Sequence, residues 1–358
     1  MLKKLSWTLA ALLLCAPAAH AAPLYSVTAL PANTIAYGIN NAGQVTGEVA
    51  LSDESGAFRW ESAILTPLGS LGGPSTGRAI SGNGLVAGFS VPGGEPQAFL
   101  HNGSGLVPLG TLGGTRSTAH GVNAAGQVTG QSTNEAGEFR AFIYSGGSMA
   151  DIGTLGGDFA FGAAINNAGH VVGESSLNDG PLPDVHAFLY LDGAMHDLGT
   201  LGGRISSAAA INDAGQVTGH SYTGGSIEHA FLYVDGTMID LGTLGGGRSF
   251  GYGINALGQV VGTSDLAGDL ERHAFIFSAG VLTDLNSLID PASGWVLHEA
   301  RGINDLGQVT AFGCLGENCQ AVVLELVSQV PEPASVTLML AGLGLLGARR
   351  FSAASRRA

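Results

Sequence analysis

Gly38-Ile39-Asn40-Asn41-Ala42-Gly43-Gln44-Val45 is the most informative segment of the sequence, because close copies of it recur along the chain. In each copy an apolar stretch ends in Asn or Ser, and a Gly three residues later leads into a second apolar stretch. This pattern predicts a tight hairpin whose Gly adopts a positive φ. Aligned on the residue after the Ile or Val, the copies lie at Asn40, Ser81, Asn123, Asn166, Asn212, Asn255 and Asn304. The steps between them are 41, 42, 43, 46, 43 and 49 residues, which makes seven repeats.

The rest of each repeat predicts two further strands. An Ala-Phe pair with apolar neighbours recurs at Phe58, Phe99, Phe142, Phe188, Phe231 and Phe275, and Ala321-Val322 takes that place in the last copy. Asp-Gly turns at Asp192-Gly193 and Asp235-Gly236 follow it in two copies and are strong hairpin signals. We place the fourth strand in Asp-Leu-Gly-Thr-Leu-Gly-Gly, which is complete at Asp197–Gly203 and Asp240–Gly246.

The sequence therefore predicts an all-β fold, a seven-bladed β-propeller of four-stranded blades. About 40 to 45 residues per blade is an ordinary size for this architecture. The fourth strand type occurs only six times after a third strand, and residues 24–31 supply the missing one. Pairing of this N-terminal strand with the last blade would close the ring and leave no long sheet edge exposed. The alternative is an open β-solenoid of the same repeats, which would need terminal caps.

The two ends of the chain predict export. Lys3 and Lys4, an apolar stretch and Ala19-His20-Ala21 are typical of a secretory signal peptide that is cleaved after Ala21, so residues 1–21 would be removed by signal peptidase. At the other end Val330-Pro331-Glu332-Pro333 precedes an uncharged segment, 334–348, and then Arg349 and Arg350. Its 15 residues would cover about 22 Å of a roughly 30 Å hydrocarbon core, which is short for a transmembrane helix.

Residues 330–358 resemble the PEP-CTERM sorting signal. The resemblance implies recognition by a membrane exosortase, cleavage near Val330 to Pro333, and release of the protein or its transfer to the cell surface. We expect a protein secreted across the inner membrane that reaches the cell surface or the medium. The C-terminal segment would anchor it transiently, and contact with the membrane would be made through this tail alone.

The segment 22–329, which holds the seven repeats, resembles the HAF family of probable extracellular repeats. His186-Ala187-Phe188, His229-Ala230-Phe231 and His273-Ala274-Phe275 carry this likeness, together with the Ile-Asn-x-x-Gly-Gln-Val stretch, or a near variant of it, before each one. The resemblance implies an extracellular location and a repeat architecture, and it supplies no catalytic role. Gln97, Arg140 and Gln320 replace the His in other copies, so the His is not required for the fold.

Charge excludes one large class of partners. The chain has a formal net charge of −14, and without the two ends it keeps eight basic and 27 acidic residues, a balance of −19. Such a surface repels phosphate backbones, so we expect no binding of nucleic acid.

The repeated polar residues predict no catalytic or metal site. Asp151, Asp197, Asp240 and Asp284 obey the repeat, whereas a catalytic pair should break it, so we expect a hydrogen-bonding or turn role for them. Cys314 and Cys319, with four residues between them in an exported chain, are candidates for a disulfide at a hairpin end. Any binding surface is expected at residues that break the repeat. These are Trp60, Trp295 and the insertions 178–184, 266–271 and 290–295.

These patterns favour an exported, non-enzymatic cell-surface or extracellular-matrix protein without a cofactor. Its propeller loops would bind a glycan or a protein, such as exopolysaccharide or a surface protein, after exosortase processing. The alternative is an enzyme that acts on extracellular polysaccharide, with its site in the propeller channel.

Overall fold

Each repeat forms a four-stranded antiparallel sheet in the structure, a computed structural model that describes residues 24–50, 54–179, 184–225 and 227–327. Blade 1 consists of β2 (Thr34–Ile39), β3 (Val45–Ala50), β4 (Ser55–Glu61) and β5 (Ile64–Gly69). Blade 2 consists of β6 (Ser75–Ile80), β7 (Val86–Ser90), β8 (Gln97–His101) and β9 (Leu106–Pro108). Blade 3 consists of β10 (Gly113–Val122), β11 (Val128–Asn134), β12 (Phe139–Ser145) and β13 (Ser148–Asp151).

Blades 4 to 6 continue the same order. Blade 4 consists of β14 (Ala160–Ile165), β15 (Val171–Ser176), β16 (Val185–Leu191) and β17 (Ala194–Asp197). Blade 5 consists of β18 (Gly202–Ile211), β19 (Val217–Thr223), β20 (Glu228–Val234) and β21 (Thr237–Asp240). Blade 6 consists of β22 (Gly245–Ile254), β23 (Val260–Leu266), β24 (Arg272–Ser278) and β25 (Val281–Asp284). One parallel residue pair, Val185 with Ile205, joins blades 4 and 5.

Blade 7 closes the ring with a strand from each end of the repeat region. It consists of β26 (Trp295–Ile303), β27 (Val309–Leu315), β28 (Asn318–Leu326) and β1 (Tyr25–Ala29). β1 runs antiparallel to β28, with Tyr25 opposite Leu326 and Ala29 opposite Val322. The first strands of neighbouring blades contact one another around the axis, and β26 contacts β2. The predicted all-β propeller, closed by the N-terminal strand, is confirmed.

The core of a blade is built on a pairing of Phe with Gly. The six Phe residues of the repeat are fully buried, as the sequence predicted for core residues: Phe58, Phe99, Phe142, Phe188, Phe231 and Phe275. Each lies opposite the Gly of Gln-Val-x-Gly or its variant on the second strand, as Phe231 lies opposite Gly219. A Cβ on Gly219 would come within 2.0 Å of the Ser207 carbonyl oxygen, so no side chain fits there. In blade 7 the pair becomes Ala311 and Val322.

The fourth strand differs in position from the prediction. In blade 4 it spans Ala194–Asp197 and ends where the Asp-Leu-Gly-Thr-Leu stretch begins. Asp197 accepts a hydrogen bond from the Gly199 N–H, and Gly199 adopts a φ of 73°, so the chain turns here. Leu198 is nevertheless buried, because it packs into the core from the connection between blades. Apolar spacing alone could not distinguish this loop from a strand.

The antiparallel order separates the connections into two ends of the propeller. Turns between first and second strands, which contain the repeated Asn, lie at one end, called here the Asn-turn end. The connections from second to third strands and from blade to blade lie at the other, called the insertion end. All three predicted insertions fall at the insertion end, although residues 180–183 lie outside the described part. The insertion 290–295 contains a short 3₁₀ helix, Pro291–Ser293.

Candidate functional site

A belt of Asn side chains ties the blades together at the Asn-turn end. The Oδ1 of Asn212 accepts hydrogen bonds from the N–H groups of Ala214 and Gln216, at 3.1 and 3.0 Å. Its Nδ2 donates to the carbonyl oxygen of Asn255 in the next blade, at 2.9 Å. The first two bonds hold the predicted hairpin turn in place, and the bond between blades is an addition that the sequence did not predict.

The belt runs through the ring closure. Six bonds of this type join neighbouring blades within the described residues, from Asn40 to Ser81, Asn123 to Asn166, Asn166 to Asn212, Asn212 to Asn255, Asn255 to Asn304 and Asn304 to Asn40. At the seventh junction Ser81 is too short to reach, and Asn83 Nδ2 donates instead to the Ala124 carbonyl oxygen at 3.0 Å. The Ile-Asn segments of all seven blades surround a cavity of about 230 Å³ here.

A β-bulge in each inner strand directs one side chain toward the axis. In blade 1 the register between β2 and β3 shifts between Ala36 and Gly38, which leaves Tyr37 as the extra residue. The same shift recurs in every blade, and the extra residues are Tyr37, Arg78, His120, Ala163, Ala209, Tyr252 and Arg301. All seven line one cavity of about 390 Å³, called here the axial chamber. Bulges commonly re-aim side chains beside active sites.

The chamber wall is asymmetric although its scaffold repeats. Blades 6, 7, 1, 2 and 3 contribute Tyr252, Arg301, Tyr37, Arg78 and His120, a continuous polar and aromatic arc that passes through the ring closure. Blades 4 and 5 contribute only alanines at this position, which leaves room on that side. This asymmetric group of polar side chains was not predicted from the sequence.

Tyr37 lies at the middle of the arc between two guanidinium groups. The Cζ atoms of Arg78 and Arg301 lie 4.5 and 4.8 Å from the centre of its ring. Its hydroxyl donates to Glu48 Oε1 at 3.2 Å, and the Thr76 hydroxyl donates to the other oxygen of Glu48 at 2.7 Å. Burial, followed by the Glu48 charge, raises the pKa of Tyr37, so the phenol stays protonated. Cation–π contacts on both sides fix this ring.

Tyr252, Glu299 and Arg301 form one flank of the arc. Arg301 Nη2 donates to Glu299 Oε2 at 3.1 Å, while Arg301 Nε is buried without a hydrogen-bond partner among the described residues. Burial and the Glu299 carboxylate raise the pKa of Tyr252 to about 12. This flank therefore offers a protonated phenol and a guanidinium N–H with unused donor capacity.

His120 forms the other flank, beside Arg78. Burial, followed by the Arg78 charge, lowers the pKa of His120 to about 4, so its imidazole is neutral at pH 7. His120 Nε2 lies 3.0 Å from the Thr118 hydroxyl. Within the described residues the Arg78 guanidinium forms no ion pair and no hydrogen bond, and its contact is with the Tyr37 ring.

The open side of the chamber contains Ala163, Ser207, Ala208 and Ala209. Glu174 lies next to it, and burial raises the pKa of its carboxyl, while a hydrogen bond from Ser207 lowers it. A ligand that fills the chamber would rest against these small side chains and face the polar arc.

The repeated His and Asp residues, which sequence analysis considered separately, pair with each other away from the axis. His186 Nδ1 lies 2.8 Å from Asp197, and His229 and His273 contact Asp240 and Asp284 in the same way at 2.8 and 2.7 Å. In blade 3, Arg140 and Asp151 lie 3.7 Å apart. The predicted hydrogen-bonding role of the aspartates is confirmed. No group of three or more metal-ligating side chains occurs in the part of the chain that the structure describes.

The other predicted site residues lie away from the chamber or outside the described part. Cys314 and Cys319 face each other across the β27–β28 hairpin and are joined by a disulfide. Trp60 is buried in the core of blade 1, so it forms no exposed binding surface. Signal-cleavage residues Ala19 and Ala21, the sorting residues Val330, Pro331, Glu332, Pro333, Arg349 and Arg350, and the segment 334–348 are outside the described residues. Among residues 24–327, where described, no helix is long and apolar enough to cross a membrane.

Comparison with protein families identifies a sorting motif at the C-terminus. Residues 329–357 match the PEP-CTERM protein-sorting motif. The chain carries an exosortase sorting signal. It is therefore an exported protein that exosortase recognises during sorting. No curated protein matches the chain.

Solved structures with similar folds are β-propellers of low sequence identity. The β-propeller domain of the Trilobed protease from Pyrococcus furiosus, described as having an open velcro topology, superposes with a TM-score of 0.57 at 9% identity. The match covers 86% of this chain and 98% of that one. A puromycin-hydrolysing peptidase from Mycobacterium tuberculosis gives a TM-score of 0.55 at 13% identity, covering 84% of this chain and 54% of that one, so this chain spans about half of the peptidase. YCF48 bound to D1 peptide gives 0.50 at 10% identity, covering 88% and 100%. These likenesses establish the fold alone.

The chamber residues had a detectable signal in the sequence of this exosortase-sorted chain. Each stands two residues before the Ile or Val of the repeat, in Tyr37-Gly-Ile and Arg78-Ala-Ile for example. The two flanking positions are always Gly or Ala in the seven copies, whereas this one varies from Ala to Arg. The predicted binding surface lay in the insertions, whereas the residues that line the chamber occupy a variable position inside the repeat.

Proposed function

We propose that the protein is a non-enzymatic binding protein of the cell surface or extracellular matrix, whose axial chamber holds a glycan residue. The signal peptide would direct it across the inner membrane, and exosortase processing would release it or transfer it to the cell surface, where exopolysaccharide is the expected source of the ligand. The HAF repeat family is the expected wider group of the repeats. The chamber, rather than the peripheral loops of the sequence prediction, is the place where we expect binding.

The asymmetry of the chamber wall carries this proposal. Seven equivalent backbone positions supply two arginines, two tyrosines, one histidine and two alanines to one cavity. Backbone geometry imposes no choice among these side chains, because the same bulge accommodates alanine. Polar groups concentrated on one side are a typical arrangement for an oriented ligand, and the buried Arg301 Nε has no hydrogen-bond partner among the described residues.

The size of the chamber favours a sugar over a protein partner. Its volume of about 390 Å³ lies near the lower end of the range for small-molecule sites, about 300 to 1,000 Å³. One or two sugar residues, or the end of a polysaccharide chain, would fit there. Hydroxyl groups of a sugar suit the mixture of phenol, guanidinium and carboxylate groups on the Tyr252–Arg301 flank.

A glycan array probed with the purified exported protein tests the proposal. Ala209→Leu and, separately, Ala163→Leu fill the open side of the chamber and should abolish retention of any bound glycan. Ala194→Leu, on an exposed turn at the Asn-turn end, is the matched control and should bind as the wild type does. Thermal unfolding of all variants shows that they remain folded. If both chamber variants retain the glycan at wild-type affinity, the chamber is not the binding site.

An enzyme that acts on polysaccharide is the second candidate, and the His120 flank is the observation that favours it. A neutral imidazole can accept a proton, and the protonated Tyr252 phenol can donate one. Mass spectrometry of the glycans after incubation distinguishes the two functions. Intact glycan supports binding alone, whereas shortened products that disappear in His120→Gln would establish catalysis.

Sorting is tested independently by the mass of the mature protein. We expect an N-terminus at Ala22 and a C-terminus between Val330 and Pro333. A mature chain that retains residues 334–358 would contradict exosortase cleavage.

A further inference from the structure

We propose that the axial chamber selects a sugar that bears a carboxylate, and that Arg78 binds the carboxylate. This inference rests on the proposed function and specifies its ligand class. It depends on the state of Arg78, on the groups around it, and on the arrangement of the chamber on either side of it.

Arg78 is a cation without an acidic partner in a strongly acidic protein. Among the described residues six of the eight arginines contact a carboxylate: Arg116, Arg140, Arg204, Arg248, Arg272 and Arg301. The exceptions are Arg59, which does not line the chamber, and Arg78, which does. With 27 acidic residues in the body of the protein, an unpaired guanidinium inside a cavity is a notable departure from the rest of the molecule. Its charge also contributes to the lowered pKa of His120, so its field reaches the neighbouring blade.

The neighbouring groups leave the charge of Arg78 available. Glu48 is the acidic group beside Tyr37, and its two oxygens accept hydrogen bonds from the hydroxyls of Tyr37 and Thr76. Glu299 is paired with Arg301. His120 on the far side is neutral and adds no competing charge. An incoming anion would therefore find at Arg78 a guanidinium that has no hydrogen-bond partner among the described residues and that lies against the Tyr37 ring.

The chemistry of the group favours a carboxylate. A planar guanidinium fork matches the two oxygens of a carboxylate in a bidentate arrangement, and these charge-assisted bonds are about twice as strong as neutral ones. The Tyr252–Glu299–Arg301 flank is neutral overall and suits hydroxyl groups. A ligand with a carboxylate at one end and hydroxyls at the other, such as a uronic acid residue, complements both flanks of the arc.

Calorimetric titration of the exported protein with D-glucuronate, D-glucose, sulfate and phosphate tests the inference. We expect glucuronate to bind at least about tenfold more tightly than glucose, since a hydrogen-bonded charged group contributes about 1.5 to 3 kcal/mol. Arg78→Gln should remove this preference, so that glucuronate binds no more tightly than glucose does to the same variant. Arg78→Lys should keep part of it, because the charge remains and the fork is lost. Arg59→Gln, the other unpaired arginine, is the matched control and should keep the full preference.

The outcomes separate this inference from the proposed function. Equal affinity for glucose and glucuronate, both lost in Ala209→Leu, would retain a glycan-binding chamber and overturn carboxylate selection. Sulfate or phosphate binding as tight as glucuronate would overturn selection of a sugar. Binding of glucuronate that survives Arg78→Gln would show that another group holds the carboxylate. Absence of binding by every sugar, with folded protein, would refute the proposed function itself.

Discussion

Acidification should destabilise the propeller through His120. In the folded protein burial and the Arg78 charge lower the pKa of His120 to about 4, whereas the ordinary value for an unfolded chain is about 6.5. As the pH falls through 6.5 the unfolded chain takes up a proton at this residue, and the folded protein does not. The unfolded state is therefore favoured progressively until the pH reaches about 4.

The size of the effect can be calculated from the two pKa values. A difference of about 2.5 units at about 1.36 kcal/mol per unit corresponds to about 3 kcal/mol of unfolding free energy. The loss is absent above about pH 6.5 and complete near pH 4. Such a loss is a large fraction of the 5 to 15 kcal/mol that is usual for folded proteins.

Urea unfolding of the wild type and of His120→Gln at pH 7.0, 5.5 and 4.0 measures this term. Glutamine cannot titrate, so the wild type should lose about 3 kcal/mol more than the variant between pH 7.0 and 4.0. Other titrating groups cancel in the comparison, including His220, whose pKa is lowered by burial, and Glu174, whose pKa is raised. Parallel pH dependence of the two proteins would refute the assignment of a neutral His120 in the folded protein.

Three further predictions concern the scaffold, and urea unfolding measures each. Gly219→Ala places a Cβ 2.0 Å from a carbonyl oxygen and should lower the free energy of unfolding by about 3 kcal/mol. Ala311→Gly, at the equivalent place in blade 7, should lower it by about 1 kcal/mol, and similar losses in the two variants would contradict the steric argument. Asn212→Ala leaves two turn N–H groups and the next blade's carbonyl without their partner and should cost about 2 to 3 kcal/mol, and a neutral result would show that the belt is dispensable. His229→Gln removes the partly exposed contact between the imidazole Nδ1 and Asp240 and should cost less than about 1 kcal/mol, so a larger loss would indicate a structural role for the pair.

Much of the scaffold could be predicted because its chemistry is local. Each hairpin is specified by residues that lie close together in the sequence, such as Asn212 with the Gly three residues after it, or Asp235-Gly236. Closure by β1 could be inferred from counting strand types. The end of the fourth strand was placed wrongly because Leu198 is apolar and buried in a loop just as it would be in a strand. Which residues of neighbouring blades touch, as Asn212 and Asn255 do, depends on the tertiary arrangement and could not be predicted.

The chamber could not be predicted from any single repeat, because a bulge reverses the side-chain alternation on which strand predictions depend. In a regular strand alternate residues face opposite sides, and one extra residue reverses the direction of every side chain after it. Tyr37 precedes the small residue Gly38, which lies against the inner strand of the next blade. A Cβ added to Gly38 would lie 3.5 Å from the backbone nitrogen of Ile80. In a single copy neither the bulge residue nor the small residue after it is distinctive in type. Only comparison of the seven copies reveals that the residue before the small one is free to vary.

That freedom explains why the chamber is the place for function in this molecule. The Phe–Gly pair, the Asn belt and the small residues between inner strands are each fixed by a contact that the ring requires. Where one partner of the Phe–Gly pair changes, the other changes with it, as Ala311 with Val322 shows. The bulge residues have no such partner in the scaffold, since alanine serves in two blades. In a ring, equivalent positions on the innermost strands of all the blades meet at the axis, so a set of unconstrained residues there can act on one ligand. The His–Asp pairs lie away from the axis on separate blades and cannot do so.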